Sequence, residues 1–325
     1  MRVLLVDDSS FYGSSLQSVL SSYMEVVCVQ TADACLHKIH DSFDIVLLDI
    51  HLEGIEAPEL IPKILRSMPQ QKIVVMSSSE ASSSVVFMCL MKGALDFIPK
   101  QSIHLDAIAP LVAQLSMYAD AKVVTHGSGA MMGHQPKGRD KLLCIASSTG
   151  GPAALEVLLA QLPASFAHPI VIVQHIIPSF VEALHKRLQE VCCLPISVCA
   201  PNQELVGGHI YLIPQGVHAY VVDKGRIALR KETAQHGVMP SANPLFASAA
   251  YVYKEAVIGV VLTGMGQDGL EGSRVIKQFY GTIIVQDKQS SVIYGMPKEV
   301  AQAHLADMEV SIQRMGTAIE QVVGL

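Results

Sequence analysis

The chain has 325 residues, half of them hydrophobic, enough for two ordinary domains with sizeable cores. Its formal charge is only −6 and it carries no basic block, so nucleic acid is not an expected partner. No apolar run reaches bilayer length, the opening MRVLLVDDSS turns acidic too early for a secretory signal, and seven scattered cysteines include no CxxC pair. A cytoplasmic protein in a reducing compartment, without direct membrane insertion, is the expectation.

In the first third, VLLVD (3–7), VVCVQ (26–30), DIVLLD (44–49), KIVVMS (72–77) and LDFIPK (95–100) read as five strands. Each precedes a stretch of helical spacing, which predicts a parallel sheet covered on both faces. Such sheets carry their chemistry at the carboxyl ends of the strands, here Asp7, Asp8, Asp49, Ser77 and Lys100. From 119 to 140 the pattern dissolves into glycine and polar residues, a flexible linker by composition. Its histidines and methionines have no metal-ligand spacing.

Strand signals resume at 141–146, 169–174, 209–214, 256–263 and 281–286, with an antiparallel hairpin expected over 219–230 around Lys224–Gly225. Helices are expected at 152–161, 179–190, 241–254, 268–279 and 312–323. The expected fold is therefore α/β and doubly wound in both halves, over 1–118 and 141–325 with a linker over 119–140; the families that the two halves resemble imply a flavodoxin-like (βα)5 domain for the first and a mostly parallel α/β hydrolase-type domain for the second.

Three carboxylates at neighbouring strand ends repel one another unless a cation neutralises them, and Mg²⁺ suits carboxylate oxygens. A hydroxyl (Ser77) and an ammonium (Lys100) at the same edge could contact phosphoryl oxygens, with one carboxylate as acceptor. On VDDS, VLLDI, VVMSS and FIPK, residues 1–118 resemble the receiver domain of bacterial two-component response regulators. The resemblance implies phosphorylation of Asp49 by a cognate histidine kinase. It makes Asp8 a direct Mg²⁺ ligand, Asp7 a ligand through water and the His51 backbone carbonyl a further ligand. Ser77 and Lys100 would read the phosphoryl group, and Phe97 would be the switching aromatic residue. Residues 49–57, DIHLEGIEA, depart from the receiver pattern, with Glu53 at its proline and Ala57 at its glycine. The His51 side chain itself reads as a partly exposed loop histidine.

In the second half, CIASSTGGP (144–152) joins a strand to a turn in which proline suits a first helical position and exposed amides suit an oxyanion. It contains neither GxGxxG nor GK[ST]. Locally it reads as an ordinary turn or a nucleophile turn, with Ser147 and Ser148 both candidates. His175 and Asp268, at two other strand ends, supply the remaining members of a hydrolytic triad.

IASSTGGP (145–152), VQHIIP (173–178), LTGMGQDG (262–269) and YGMP (294–297) together resemble the chemotaxis protein-glutamate methylesterases, the CheB family. The order receiver, linker, hydrolase matches that family along the whole chain. Family register selects Ser148 as nucleophile, directly before Thr-Gly-Gly-Pro, and implies His175 as base, Asp268 as its orienting acid and the Met265 backbone amide as an oxyanion donor. Departures are Ala146 for a glycine, an extra residue at Ile176–Ile177, and Asn243 for the usual aspartate, with a helix cap the plain reading of Asn243.

The resemblance implies a phosphorylation-regulated serine hydrolase that demethylates glutamyl methyl esters, and deamidates glutamines, on the cytoplasmic domains of methyl-accepting chemoreceptors. The unphosphorylated receiver is expected to restrict access to the triad. No cofactor is expected for the esterase, and a monomer is expected. Two other readings stay open: a phosphorylation-controlled receptor-docking module without esterase activity, and a methylesterase for receptors of another pathway.

Overall fold

The computed structural model describes residues 1–77, 83–103, 108–121, 141–235 and 237–324. The chain divides into two compact units, Met1–Val123 and Val124–Leu325, and each is described by itself. Most of the expected linker, residues 122–140, lies outside the described residues.

The first unit runs β1 (Arg2–Val6), α1 (Ser10–Leu20), β2 (Glu25–Val29), α2 (Ala32–Lys38), β3 (Ile45–Asp49), β4 (His51–Leu52), β5 (Ile55–Glu56), α3 (Ala57–Ser67), β6 (Ile73–Ser77), α4 (Ser83–Met91), β7 (Asp96–Pro99) and α5 (Ala109–Ala119). Its described sheet is parallel, in the order β2-β1-β3-β6-β7. β3 and β6 are buried along their whole length, as strands covered on both faces must be, and this explains their unbroken apolar sequences. Ser9 and Thr31 cap α1 and α2, each accepting a backbone N–H from the first turn. The departure at 49–57 has a local structure of its own. β4 and β5 pair antiparallel around Glu53–Gly54, with Gly54 at φ +83°. α3 then starts at Ala57.

The second unit runs β8 (Leu142–Ser147), α6 (Gly151–Leu159), β9 (Ile170–Gln174), α7 (Val181–Val191), β10 (Ile196–Val198), β11 (Gln203–Glu204), β12 (Ile210–Leu212), β13 (His218–Asp223), β14 (Arg226–Arg230), α8 (Ala242–Tyr253), β15 (Val257–Val261), α9 (Leu270–Gln278), β16 (Thr282–Gln286), α10 (Met296–Gln302), β17 (Met308–Val310) and α11 (Met315–Val323). A parallel sheet in the order β10-β12-β9-β8-β15-β16-β17 forms its centre. The expected hairpin is β13–β14, and β11 joins it as a third antiparallel strand.

The sequence pattern misses β10, β11, β17 and α10. The strands are only two or three residues long and α10 only seven, too short for a period to register. The tail also differs in detail. A 3-10 turn, Ile312–Arg314, precedes α11, and Gln161 joins both by accepting from Gly316 N–H and donating to the Ile312 carbonyl.

In each sheet the strand order reverses direction at one point: between β1 and β3 in the first unit, and between β8 and β15 in the second. Chain segments leaving the sheet there diverge to opposite sides and open a crevice at the carboxyl edge. Asp7, Asp8 and Asp49 leave the sheet at the first crevice, Ser148 and Asp268 at the second, with His175 on the adjacent strand β9.

Candidate active site and phosphoacceptor site

In the second unit, β8 delivers two serines in succession, and alternation along the strand gives them different surroundings. Ser147 is fully buried, and its hydroxyl donates to Gln174 Oε1 at 2.6 Å. Gln174 Nε2 in turn donates to the carbonyls of Ser148 and His175, at 2.9 and 2.8 Å. One glutamine therefore ties the serine turn to the histidine turn. It also accounts for Gly151, because a Cβ there would overlap the Gln174 amide. Ser148, one residue on, is half-buried, and its hydroxyl is not committed to that network.

His175 follows β9, with its N–H on the Ser147 carbonyl at 2.9 Å. Its ring Nε2 lies 2.8 Å from Asp268 Oδ2. Among the described residues no hydrogen bond joins Ser148 Oγ to the ring, and Nδ1 is the nitrogen left to receive one. Asp268 sits between β15 and α9 and is 3 % exposed. Its carboxylate collects donors from three directions: Ser241 Oγ at 2.6 Å, Ala242 N–H at 2.7 Å and Gly269 N–H at 3.0 Å, besides the imidazole. Burial alone would raise its pKa, but the imidazole, the Ser241 hydroxyl and the Ala242 amide outweigh it and hold the carboxyl below its ordinary 3.8. Such a group stays ionised and fixes the orientation of the ring.

Ser241 is a functional residue that the sequence reading does not contain. As N-cap of α8 it does two jobs, accepting from Asn243 N–H and donating to Asp268. Asn243 is a helix cap, as expected, but of a helix other than its own. It lies inside α8 and does not cap that helix; its Oδ1 instead accepts from Gly269 and Gly272 N–H, at 3.1 and 2.9 Å, and so caps α9. A carboxamide oxygen can satisfy these two amides as a carboxylate would, without adding a charge beside Asp268.

The segment after β15 crosses over the serine turn. Gly264 packs on Ser148, where a Cβ would lie 2.7 Å from the Ser148 Cβ and overlap the Met296 sulfur. Gly264 N–H is taken by Ile293, whereas the next amide, Met265 N–H, has no hydrogen-bond partner among the described residues. That leaves it available to an oxyanion.

In the first unit, Lys100 Nζ stands 2.7 Å from both Asp49 Oδ2 and Asp7 Oδ2. Asp7 Oδ1 accepts from Ser9 N–H at 3.0 Å, while Oδ2 is ion-paired but has no hydrogen bond in bonding geometry. Burial pushes the Asp49 carboxyl above its ordinary pKa; Lys100 opposes this and the charge of Asp7 reinforces it. Burial works to lower the pKa of Lys100, but the two carboxylates outweigh it and raise the value.

Carboxylate oxygens of Asp7, Asp8 and Asp49 converge within 4.8 Å of one another. An all-oxygen set with excess negative charge, in which Lys100 is shared between Asp7 and Asp49, fits Mg²⁺. His51 lies on β4 with its side chain exposed and Nδ1 3.0 Å from Glu56 Oε1; its backbone N–H donates to Asp49. Ser77 ends β6, fully buried, and Phe97 lies on β7, half-buried. Tyr12 is a further neighbour absent from the sequence reading. Burial, with the charges of Asp7 and Asp49, pushes its hydroxyl up to about 12.

Comparisons with known proteins agree with this division. Residues 143–319 match the family described as CheB methylesterase, and residues 3–111 match the response regulator receiver domain. The chain is 33% identical to a protein-glutamate methylesterase/protein-glutamine glutaminase of Caulobacter vibrioides, with 98% of each chain covered. It is 30% identical to the protein of that name from Thermotoga maritima, with 94% of each covered. Among solved structures, the crystal structure of the Thermotoga maritima CheB methylesterase catalytic domain matches with a TM-score of 0.54 at 34% identity, covering 57% of this chain and 97% of that one. The chain belongs to the CheB methylesterase family, with a response regulator receiver domain as its first unit.

Proposed function

We propose that this chain is a phosphorylation-regulated protein-glutamate methylesterase and protein-glutamine glutaminase that acts on the cytoplasmic domains of methyl-accepting chemoreceptors. The observation that carries the reading is the ring of donors around Asp268, which ends on His175 one strand from Ser148. With Asp268 accepting at Nε2, the neutral imidazole carries its proton there and leaves Nδ1 as the base. Ser148 Oγ attacks the ester carbonyl while Nδ1 takes its proton; a hydrogen bond not made in the free enzyme closes when substrate fixes the serine. The Met265 N–H receives the developing oxyanion. His175 then protonates methanol as it leaves, giving an acyl-enzyme. Water attacks this with His175 again as base, releasing the glutamate carboxyl and regenerating Ser148. A glutamine side chain follows the same path, with ammonia as leaving group.

The phosphorylation state of Asp49, set by a cognate histidine kinase, controls this activity. Asp7, Asp8, Asp49 and the His51 carbonyl would hold Mg²⁺, whose charge, when bound, offsets that of an incoming phosphoryl group. Lys100 and Ser77 bind the phosphoryl oxygens, and Phe97 reports their arrival. Attraction between Lys100 and the phosphoryl group draws the ammonium from its resting pair with Asp7, a redistribution that can favour a second conformation.

The test is methanol release from methylated receptor cytoplasmic domains in the presence of a small phosphodonor. Ser148→Ala lowers kcat by about a millionfold, whereas Ser147→Ala stays within about a hundredfold of wild type. Full activity in Ser148→Ala would sink the assignment. The departures from the family pattern do not favour a docking module, since Asn243 keeps both bonds to α9 and Asp268 keeps its donors.

A further inference from the structure

The phosphoacceptor site contains a group that the steps above do not use. Tyr12 lies in the first turn of α1, its N–H held by the Ser9 cap. Lys100 Nζ sits over its ring, 4.6 Å from the centroid, and at the same time 2.7 Å from Asp49 Oδ2. Asp49, Lys100 and Tyr12 thus stand in consecutive contact. The phenol oxygen is buried and has no hydrogen-bond partner among the described residues.

An unpaired hydroxyl in this position is unfavourable, and the groups that face it do not relieve it. Asp7 spends one oxygen on Ser9 N–H and turns the other to Lys100, and Asp49 Oδ2 is likewise turned to Lys100. A phosphoryl group on Asp49 changes the supply of acceptors. It adds three oxygens, bearing between one and two negative charges, beside Lys100 and so close to the Tyr12 ring.

We propose that the Tyr12 hydroxyl binds the phosphoryl group carried by Asp49, donating a hydrogen bond to one of its oxygens while the ring face holds Lys100 against the same group. This rests on the reading of Asp49 as phosphoacceptor and adds to it a residue that discriminates the phosphorylated from the resting site. A phenol fits the role better than a second ammonium would. It brings a donor without a charge, so the resting cluster of Asp7, Asp8, Asp49 and Lys100 keeps its attraction for Mg²⁺.

The test titrates the full-length chain with beryllium fluoride in saturating Mg²⁺, following the bound acyl-phosphate analogue by fluorine NMR, and separately titrates Mg²⁺ alone. Tyr12→Phe keeps the ring over Lys100 and removes only the donor. It is expected to weaken beryllofluoride binding by about tenfold, the range of a hydrogen bond to a charged group, with Mg²⁺ affinity within twofold of wild type. Tyr12→Leu, which also removes the ring, is expected to weaken beryllofluoride binding further. Equal beryllofluoride affinity in Tyr12→Phe and wild type overturns the proposal. So does an equal loss of Mg²⁺ affinity, which would make Tyr12 a support of the metal site only. Failure of wild type to bind, or undiminished binding in Asp49→Asn, overturns instead the phosphoacceptor reading beneath it.

Discussion

Asp49, at the end of β3, and Asp268, after β15, are both carboxylates at the carboxyl edge of a parallel sheet, 7 % and 3 % exposed, yet their ionisation is pushed in opposite directions. Asp268 is surrounded by donors fixed to the fold: a helix cap hydroxyl, two amides and an imidazole. Asp49 shares the Lys100 ammonium with Asp7 and lies beside two other carboxylates. Burial alone does not set the behaviour of an aspartate; the number of donors built around it does. A saturated carboxylate serves as a permanent orienting charge. An undersaturated one is poised for a cation and for a change of covalent state, which is what a switch needs.

This contrast can be broken most severely at Asp268. Asp268→Asn keeps the size but replaces an acceptor by a donor facing His175, so the ring loses its tautomer. Methyl ester hydrolysis is expected to fall by about 10⁴-fold in kcat with KM little changed, measured by methanol release. Loss of less than tenfold would show that the carboxylate is not needed to orient the ring. The same group also contributes to stability. Its folded pKa lies below the unfolded 3.8, so the contribution is present above that value and is lost as pH falls through the lower folded value. Stability curves of wild type and Asp268→Asn should therefore converge in acid.

A smaller effect is expected at Asn243, which leaves the Asp268 donors in place and removes only the cap of α9. Asn243→Ala leaves the buried Gly272 amide without its partner and Gly269 N–H with Asp268 Oδ1 alone, and should cost about 1–2 kcal/mol in chemical denaturation. Asn243→Asp, which restores an acceptor, should recover most of this. If Asn243→Ala unfolds at the wild-type midpoint, the cap contributes nothing.

The smallest effect tests the other half of the comparison. A carboxyl whose folded pKa is raised binds its proton more tightly in the folded state, so its ionisation costs stability above that pKa. Asp49→Asn should therefore raise the thermal midpoint of the first unit at neutral pH in magnesium-free buffer. The gain should vanish as pH falls through the raised value toward 3.8. An unchanged midpoint at neutral pH would show that Lys100 fully compensates the charge.

Much of both sites was readable in the sequence, because a buried parallel strand writes itself as an unbroken apolar run and the residue that ends the run marks the functional edge. VLLVD, DIVLLD and KIVVMS point to Asp7, Asp49 and Ser77 in this way, and the strands that follow lie within a residue or so of those runs. The types of those residues, with Lys100, Ser148, His175 and Asp268, were enough to name the chemistry. The turn at 49–57 was visible only as a departure from pattern; a hairpin of two-residue strands leaves no period to detect.

What the sequence by itself determined was thus the succession of the longer strands along the chain, the residues at their ends and the family they resemble. The tertiary structure alone decided which serine hydroxyl is spent and which is not. Ser147 and Ser148 are neighbours in the chain, and only the packing of Gln174, 27 residues from Ser147, binds the first and leaves the second. It also decided that Ser241 would support Asp268, that Asn243 would cap a helix other than its own, and that Tyr12 would lie over Lys100. Each of these depends on a contact between distant segments. Local propensity carries no record of such contacts, because their geometry is fixed by sheet order and helix packing.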